Sequence, residues 1–298
     1  MPESRTARRK QRKTTPRKRN PITPRTAKAR FGHPGQRRFV SFLLTLVAII
    51  GIGIAGLQAT ALNANFTTKT LTTGDNLTTI EQKVQSTAGS SLTNIPGAST
   101  LVSRAISEAT TKAVVTAAVT DIYDNTTAQI DFTALDNTVR TALSSSTSGL
   151  SATLGSSIAN SILPTLHNYL SSQLSTQTAK AKQAYQQASS AIASAVMPLT
   201  IIAAVLAIWL LLVAGGFGRF LHSLGWIGIF AGVLGTAGVQ VAAKMPEITS
   251  LAASAGDLRN VVLDYVATVV NHMSGYYLIT AGAGLILLLI TIPIMRRR

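Results

Sequence analysis

Residues 39–61 read FVSFLLTLVAIIGIGIAGLQATA, 23 positions without a charged side chain. A hydrocarbon core of about 30 Å needs ~20 apolar residues in a helix, and backbone in lipid must satisfy its own hydrogen bonds. The stretch is therefore expected to be a transmembrane helix. Residues 196–216, 224–243 and 276–295 have the same character over 21, 20 and 20 positions, none charged. Glycine dilutes the third of the four. The expected fold class is an all-α integral membrane protein with four transmembrane helices. A helical, Ser/Thr-rich extracytoplasmic domain separates spans one and two. Ala59-Thr-Ala61 offers a small-residue cleavage site, but the apolar run exceeds the usual h-region of a signal peptide. Span one is expected to remain as an uncleaved anchor.

Charge orients these spans. The 298 residues hold 27 Lys and Arg, 11 Asp and Glu, and a formal net charge of +16. Fourteen of the bases and only one acid, Glu3, lie in residues 1–38, whereas residues 62–195 hold seven of each. The basic character thus belongs to a tail and not to a domain. Lys and Arg flanking spans stay on the cytoplasmic side. That rule predicts a cytoplasmic, disordered tail over 1–38 and an extracytoplasmic domain over 62–195. A short cytoplasmic loop over 217–223 and an extracytoplasmic segment over 244–275 follow. The C-terminus, residues 296–298, returns to the cytoplasm. Arg37, Arg38, Arg296, Arg297 and Arg298 are the topogenic charges. Tyr276 and Tyr277 are expected in an interfacial aromatic belt.

The densest part of the tail contains Arg8, Arg9, Lys10, Arg12, Lys13, Arg17, Lys18 and Arg19. Each base close to an anionic membrane surface contributes roughly 1 kcal/mol. Anionic lipid is the partner this composition suits. Nucleic acid is the less favoured one, because the tail offers only Phe31 for stacking and no recognisable reading module.

Between spans one and two, 44 of 134 residues are Ser or Thr and five are aromatic. Only a thin core is expected. Helical period is nevertheless present. Val102, Ile106, Ala109, Ala113 and Ala117 share a face, and Thr133 with Asp136 fits a capping box. From Leu150 to Leu174 apolar residues recur at every fourth position, with a kink or break expected at Pro164. The alanine-rich stretch beyond it is expected to run straight into span two. In the 244–275 segment, residues 257–273 form an amphipathic helix with Val261, Val262, Tyr265, Val266 and Val269 on one side. Its polar side lacks the Lys/Arg enrichment of a lipid-surface helix, so it is expected to dock on the helical domain.

Chemistry-bearing patterns are sparse. The chain has no cysteine, which excludes disulfides and thiolate sites. The four histidines show no metal-ligand spacing, and no P-loop or G-x-S-x-G occurs. No cofactor, metal or catalytic residue is assigned. The spans contain no ionisable side chain of the kind ion coupling requires. Gln240 is expected to bond between helices. Gly228, Gly232 and Gly235 form a small-residue face in span three that lets another backbone come close. That face suits packing within the chain, or alternatively a homo-oligomer.

The layout resembles that of cell-division and efflux permease subunits: four spans, the N-terminus inside, and a large external domain between spans one and two. The resemblance covers topology only. Such permeases couple to a cytoplasmic ATPase through the connection between spans two and three, and here that connection is short. The function expected is therefore non-enzymatic: a multi-pass protein of a bacterial cell membrane whose external helical domain binds or senses an envelope protein or ligand. A permease subunit or transport accessory, and a basic-tail tether to nucleic acid or ribosome, are the alternatives.

Overall fold

The computed structural model describes residues 34–91, 106–124 and 152–296, with isolated positions between 133 and 141. Among the described residues every regular element is a helix. We number them α1 (Pro34–Ala59), α2 (Ala64–Leu71), α3 (Gly74–Ser91), α4 (Glu108–Tyr123), α5 (Ala152–Ala214), α6 (Phe217–Ala242), α7 (Pro246–Ser254) and α8 (Arg259–Arg296), with a short 3-10 turn, Gly256–Leu258, before α8. Four stretches are long and apolar enough to cross a membrane: Gly35–Ala59, Thr178–Ala214, Phe217–Ala242 and Gly256–Pro293. Spans one to four are the membrane-crossing parts of α1, α5, α6 and α8; α5 and α8 are longer than a crossing needs and continue beyond it into the region between spans.

The spans run alternately up and down. Arg37 at the start of α1 meets Ser223 near the start of α6, and His222 lies 3.4 Å from Thr291 near the end of α8. At the opposite end of α1, Gly56 sits against Met273 and Tyr276. Spans one, two and three share an apolar cluster of Val40, Leu44, Leu206, Leu210 and Ile227.

Spans three and four are joined differently. A Cβ at Gly225 would lie 2.9 Å from the Gly284 carbonyl, and one at Gly228 would lie 3.1 Å from Gly284 Cα. At Gly232 it would be 2.5 Å from Ala281 Cβ, and at Gly235 it would land inside the Tyr277 ring. A side chain at Gly225, Gly232 or Gly235 would have to displace its neighbour, and one at Gly228 would press tightly on α8. The two helices meet closely along about three turns of α6, which is how helices associate where apolar side chains gain nothing by leaving lipid. Gly228, Gly232 and Gly235 thus all face α8 within the same chain. The slot at Gly235 also explains Tyr277. It is 3% exposed and donates to the Ile49 carbonyl at 2.8 Å, so it lies in the helix core and not in an interfacial belt. Tyr276, its neighbour, is exposed.

Several boundaries differ from the sequence expectation. α1 begins at Pro34, so residues 34–38 are its first turn and not part of a disordered tail; proline suits that position because its missing N–H is unneeded there. Residues 1–33, which carry the rest of the basic tail, lie outside the described residues, as do Arg297 and Arg298. Residues 217–223 are not a loop. α5 ends at Ala214, Gly215 takes φ 63°, and α6 starts at Phe217. A glycine in the left-handed conformation reverses the chain so sharply that two residues suffice. α5 continues for 63 residues through Pro164 and Pro198 without a break. A proline removes one hydrogen bond of the ladder, and the neighbouring turns hold the helix. It does pass directly into span two. The amphipathic stretch and span four are likewise one helix of 38 residues.

The face of α4 is also rotated from the expected one. Thr110, Thr111, Val114, Val115 and Val119 are buried, while Ala109 is exposed. Valine offers more apolar area than alanine, and the larger area goes inward. Val102 and most of the region around the Thr133 and Asp136 capping box lie outside the described residues.

Gly235→Leu is expected to split spans three and four, because overpacking costs about 1–3 kcal/mol even where neighbours can shift. Gly238→Leu meets nothing within 4 Å and is the tolerated control. Thermal unfolding of the two variants in mild detergent, followed by elution profile, should separate them clearly.

Candidate functional site

The helices between spans one and two form a head that is attached to α8 by a set of polar contacts. The attachment starts at the end of α1. Thr60, 1% exposed, donates to the Gly56 carbonyl at 2.6 Å. Asn63 then caps α2, its side chain accepting from the backbone N–H of Asn65 and Phe66. This cap fixes α2 and so places Thr67.

Thr67 Oγ1 lies 2.7 Å from the Tyr123 hydroxyl and 3.0 Å from that of Tyr265. Tyr123 also donates to the Ala61 carbonyl. Each hydroxyl has one proton. The Tyr123 proton goes to Ala61, so Thr67 must donate to Tyr123 and Tyr265 must donate to Thr67. The result is a one-directional relay, Tyr265 to Thr67 to Tyr123 to the Ala61 carbonyl. It ties α8, α2, α4 and the α1–α2 junction together. Burial pushes the Tyr123 phenol up to about 12, against the opposing effect of the hydrogen bond with Thr67.

Other contacts extend the seam. Asn76 donates to Asp264 at 2.6 Å and to the Thr70 carbonyl at 3.2 Å. Phe66 and His272 meet edge to face with ring centroids 4.9 Å apart. Lys83 pairs with Asp257 and holds its carboxyl below the usual range, first through the hydrogen bond and then through charge. That pair is exposed and adds little stability. Towards α5, Tyr123 packs on Tyr185 at 4.7 Å and Asp121 pairs with Lys182 at 3.4 Å, both side chains of the ion pair being largely buried. The head thus meets α8 on both sides of its period, through Tyr265 from the apolar face and through Asp257 and Asp264 from the polar side, while Val261 and Val269 are buried.

The other end of the bundle has a different character. Arg37 donates to Ser223 Oγ from both Nε and Nη2, at 3.0 and 2.7 Å, and to the Arg219 carbonyl at 3.4 Å. Arg37, Arg38, Arg219 and His222 rim a cavity of about 680 Å³ between α1 and α6, with apolar walls below. Arg296 ends α8. Of the remaining polar positions, Gln240 donates to Ser274 at 3.4 Å, linking spans three and four. Among the described residues no group of three His, Asp or Glu side chains could hold a metal ion.

The hydroxyl relay and the Arg37–Ser223 bond carry no signature in the sequence. Tyr265 reads simply as one more residue of an apolar face, and Thr67 as one threonine among many. The chain matches no protein-family model, no curated protein and no solved structure.

Thr67→Val keeps the shape at position 67 but removes both relay links. It should cost about 1–3 kcal/mol, the range for leaving buried hydroxyls unpaired, and should open the head to trypsin at Lys83 and Lys112. Alkali should act on the same seam. The Tyr123 phenol holds its proton more tightly folded than unfolded, so its contribution is fully present below pH 10 and is lost as pH rises through about 12. In the phenolate absorbance titration, Tyr123→Phe should remove one step near pH 12 and the matching loss of stability.

Proposed function

We propose that this chain is a non-enzymatic, multi-pass protein of a bacterial cell membrane, with both termini cytoplasmic and the helical head outside. The head binds or senses an envelope component. The observation that carries this reading is the continuity of α5 and α8, 63 and 38 residues long, from the head into spans two and four. At 1.5 Å per residue α8 is about 57 Å long, far more than the ~30 Å hydrocarbon core requires. Whatever moves the head moves α8 as well, because the Thr67–Tyr265 bond and the Asn76–Asp264 bond grip its outer half. Binding outside is thereby linked mechanically to the packing of spans three and four. The orientation rests on charge: apart from Glu3, every acid of the chain lies in residues 62–195 or 244–275, and the basic tail precedes span one.

The permease-subunit reading is less well supported. Gly215 and Gly216 alone connect spans two and three, which leaves no loop for a cytoplasmic ATPase to grip. The basic tail holds anionic lipid in this scheme, and a tether to nucleic acid is its competitor.

Two measurements test the proposal. Single cysteines at Ser148 and Ser254 should react with an impermeant thiol reagent on intact cells, and cysteines at Thr15 and Arg298 should not; labelling of Thr15 from outside would overturn the orientation. A photo-crosslinking residue at exposed Gln82 or Thr116 should capture a reproducible partner in intact cells. Capture only from position 15, released by salt or nuclease, would transfer the function to the tail.

A further inference from the structure

The cavity between α1 and α6 has its chemistry in a definite order. Along α1, Arg38, Phe42 and Leu46 follow one another at four-residue steps, beside Ser41 and Thr45. Along α6 the order is Arg219, then His222 and Ser223, then Trp226, Phe230 and Leu234. Both helices therefore carry guanidinium at one end and mainly aromatic and aliphatic groups further along, with Thr45 set between Phe42 and Leu46 on α1. At 1.5 Å per residue, Arg38 to Leu46 covers about 12 Å and Arg219 to Leu234 about 22 Å. One leaflet of the hydrocarbon core is about 15 Å deep. The sequence of groups and their depth match a phospholipid: phosphate, glycerol, acyl chain.

The charge at the rim needs an anion. Three arginines share it, and among the described residues no acid lines the cavity. Arg37 is engaged with Ser223 and the Arg219 carbonyl, whereas Arg38 and Arg219 are exposed. Like charges gathered at a membrane boundary repel one another, and a phosphate between them relieves that repulsion while accepting charge-assisted hydrogen bonds. The walls are open on their outer side, with Phe42 60%, Trp226 46% and Phe230 52% exposed, so a chain can enter laterally from the bilayer. About 680 Å³ is a volume typical of a ligand site and not of a flat lipid contact. The chain's own N-terminal segment is a poor occupant, since its bases would face the arginines.

We propose that this groove binds one anionic glycerophospholipid, its phosphate on Arg38 and Arg219 and one acyl chain along Phe42, Trp226 and Phe230. The site is separate from the head and does not depend on the function proposed for it.

The two tryptophans, Trp209 and Trp226, make the test direct. Trp226 lines the groove; Trp209 is exposed on α5 and does not. Full-length Trp209→Phe protein is placed in phosphatidylcholine nanodiscs containing a minor fraction of bromine-labelled phosphatidylglycerol or bromine-labelled phosphatidylcholine. Bromine-labelled phosphatidylglycerol should quench Trp226 several-fold more than the same fraction of labelled phosphatidylcholine. In Trp226→Phe protein, which reports from Trp209, the labelled phosphatidylglycerol should show only the weaker enrichment that the basic tail produces around the whole protein. Arg38→Gln with Arg219→Gln should bring the quenching by the two lipids close to parity, since each removed charge weakens anionic-lipid attraction several-fold. Ser41→Phe fills the groove and keeps every charge; it should abolish the preference and covers the case in which the arginine variant does not fold. Soluble glycerol 3-phosphate should not compete. Equal quenching of Trp226 by both lipids would overturn the proposal. An equal preference at Trp209 would do so too, because it means general enrichment of anionic lipid by the basic tail. Survival of the preference in the Ser41→Phe variant, or full displacement by glycerol 3-phosphate, would likewise exclude an acyl chain in the groove.

Discussion

Inside hydrocarbon, an apolar side chain gains nothing from leaving one apolar surrounding for another, so helices must be held by close approach and by the few polar bonds available. The junction of α6 and α8 meets this constraint with glycine. Gly225, Gly228, Gly232 and Gly235 on one helix and Gly284 on the other bring the backbones into contact. The same slot admits the Tyr277 ring, whose hydroxyl reaches across to the Ile49 carbonyl of α1. One packing solution thus fixes spans three and four to each other and ties span one to both. The rest of the architecture hangs from α8.

The head depends on α8 for a further reason. Its composition is poor in large apolar groups, and its described core contains Thr67, Thr110 and Thr111 alongside Ile106, Val114, Val115 and Val119. Burial at about 25 cal/mol per Å² must offset ~1–2 kcal/mol of backbone entropy for each ordered residue. A thin core meets that poorly by itself. Docking on the valine face of α8 adds apolar area, and the hydroxyl relay adds direction. Because each proton in the relay is committed, the four segments it joins have one relative placement and not several. Specificity here comes from hydrogen-bond accounting more than from bulk hydrophobicity.

The two ends of the molecule differ as the charges do. Carboxylates occur at the head end, at Asp121, Asp257 and Asp264, each with a cation or amide partner. Guanidinium groups gather at the other end without a carboxylate among the described groove residues. A head that is electrically balanced and a rim that is not are suited to different partners: a folded surface at one, an anion at the other.

Length, hydropathy and period are local properties, and the sequence by itself determined what depends on them. The number of apolar helices long enough to span, the apolar face of residues 257–273 and the glycine face of span three are all legible in short windows. Boundaries were less legible, because Pro34 can begin a helix as readily as disrupt one, and Gly215-Gly216 makes a turn far shorter than a loop of seven. Only the tertiary structure decided which helix the glycines of α6 meet, that Tyr277 points inward, that Tyr265 donates to Thr67, and that Arg37 reaches Ser223. Those last three contacts join residues 228, 198 and 186 positions apart. They depend on how each helix is rotated about its axis and which neighbour it has. No window of sequence holds that information, since the rotation is set jointly by all the faces that must pack at once.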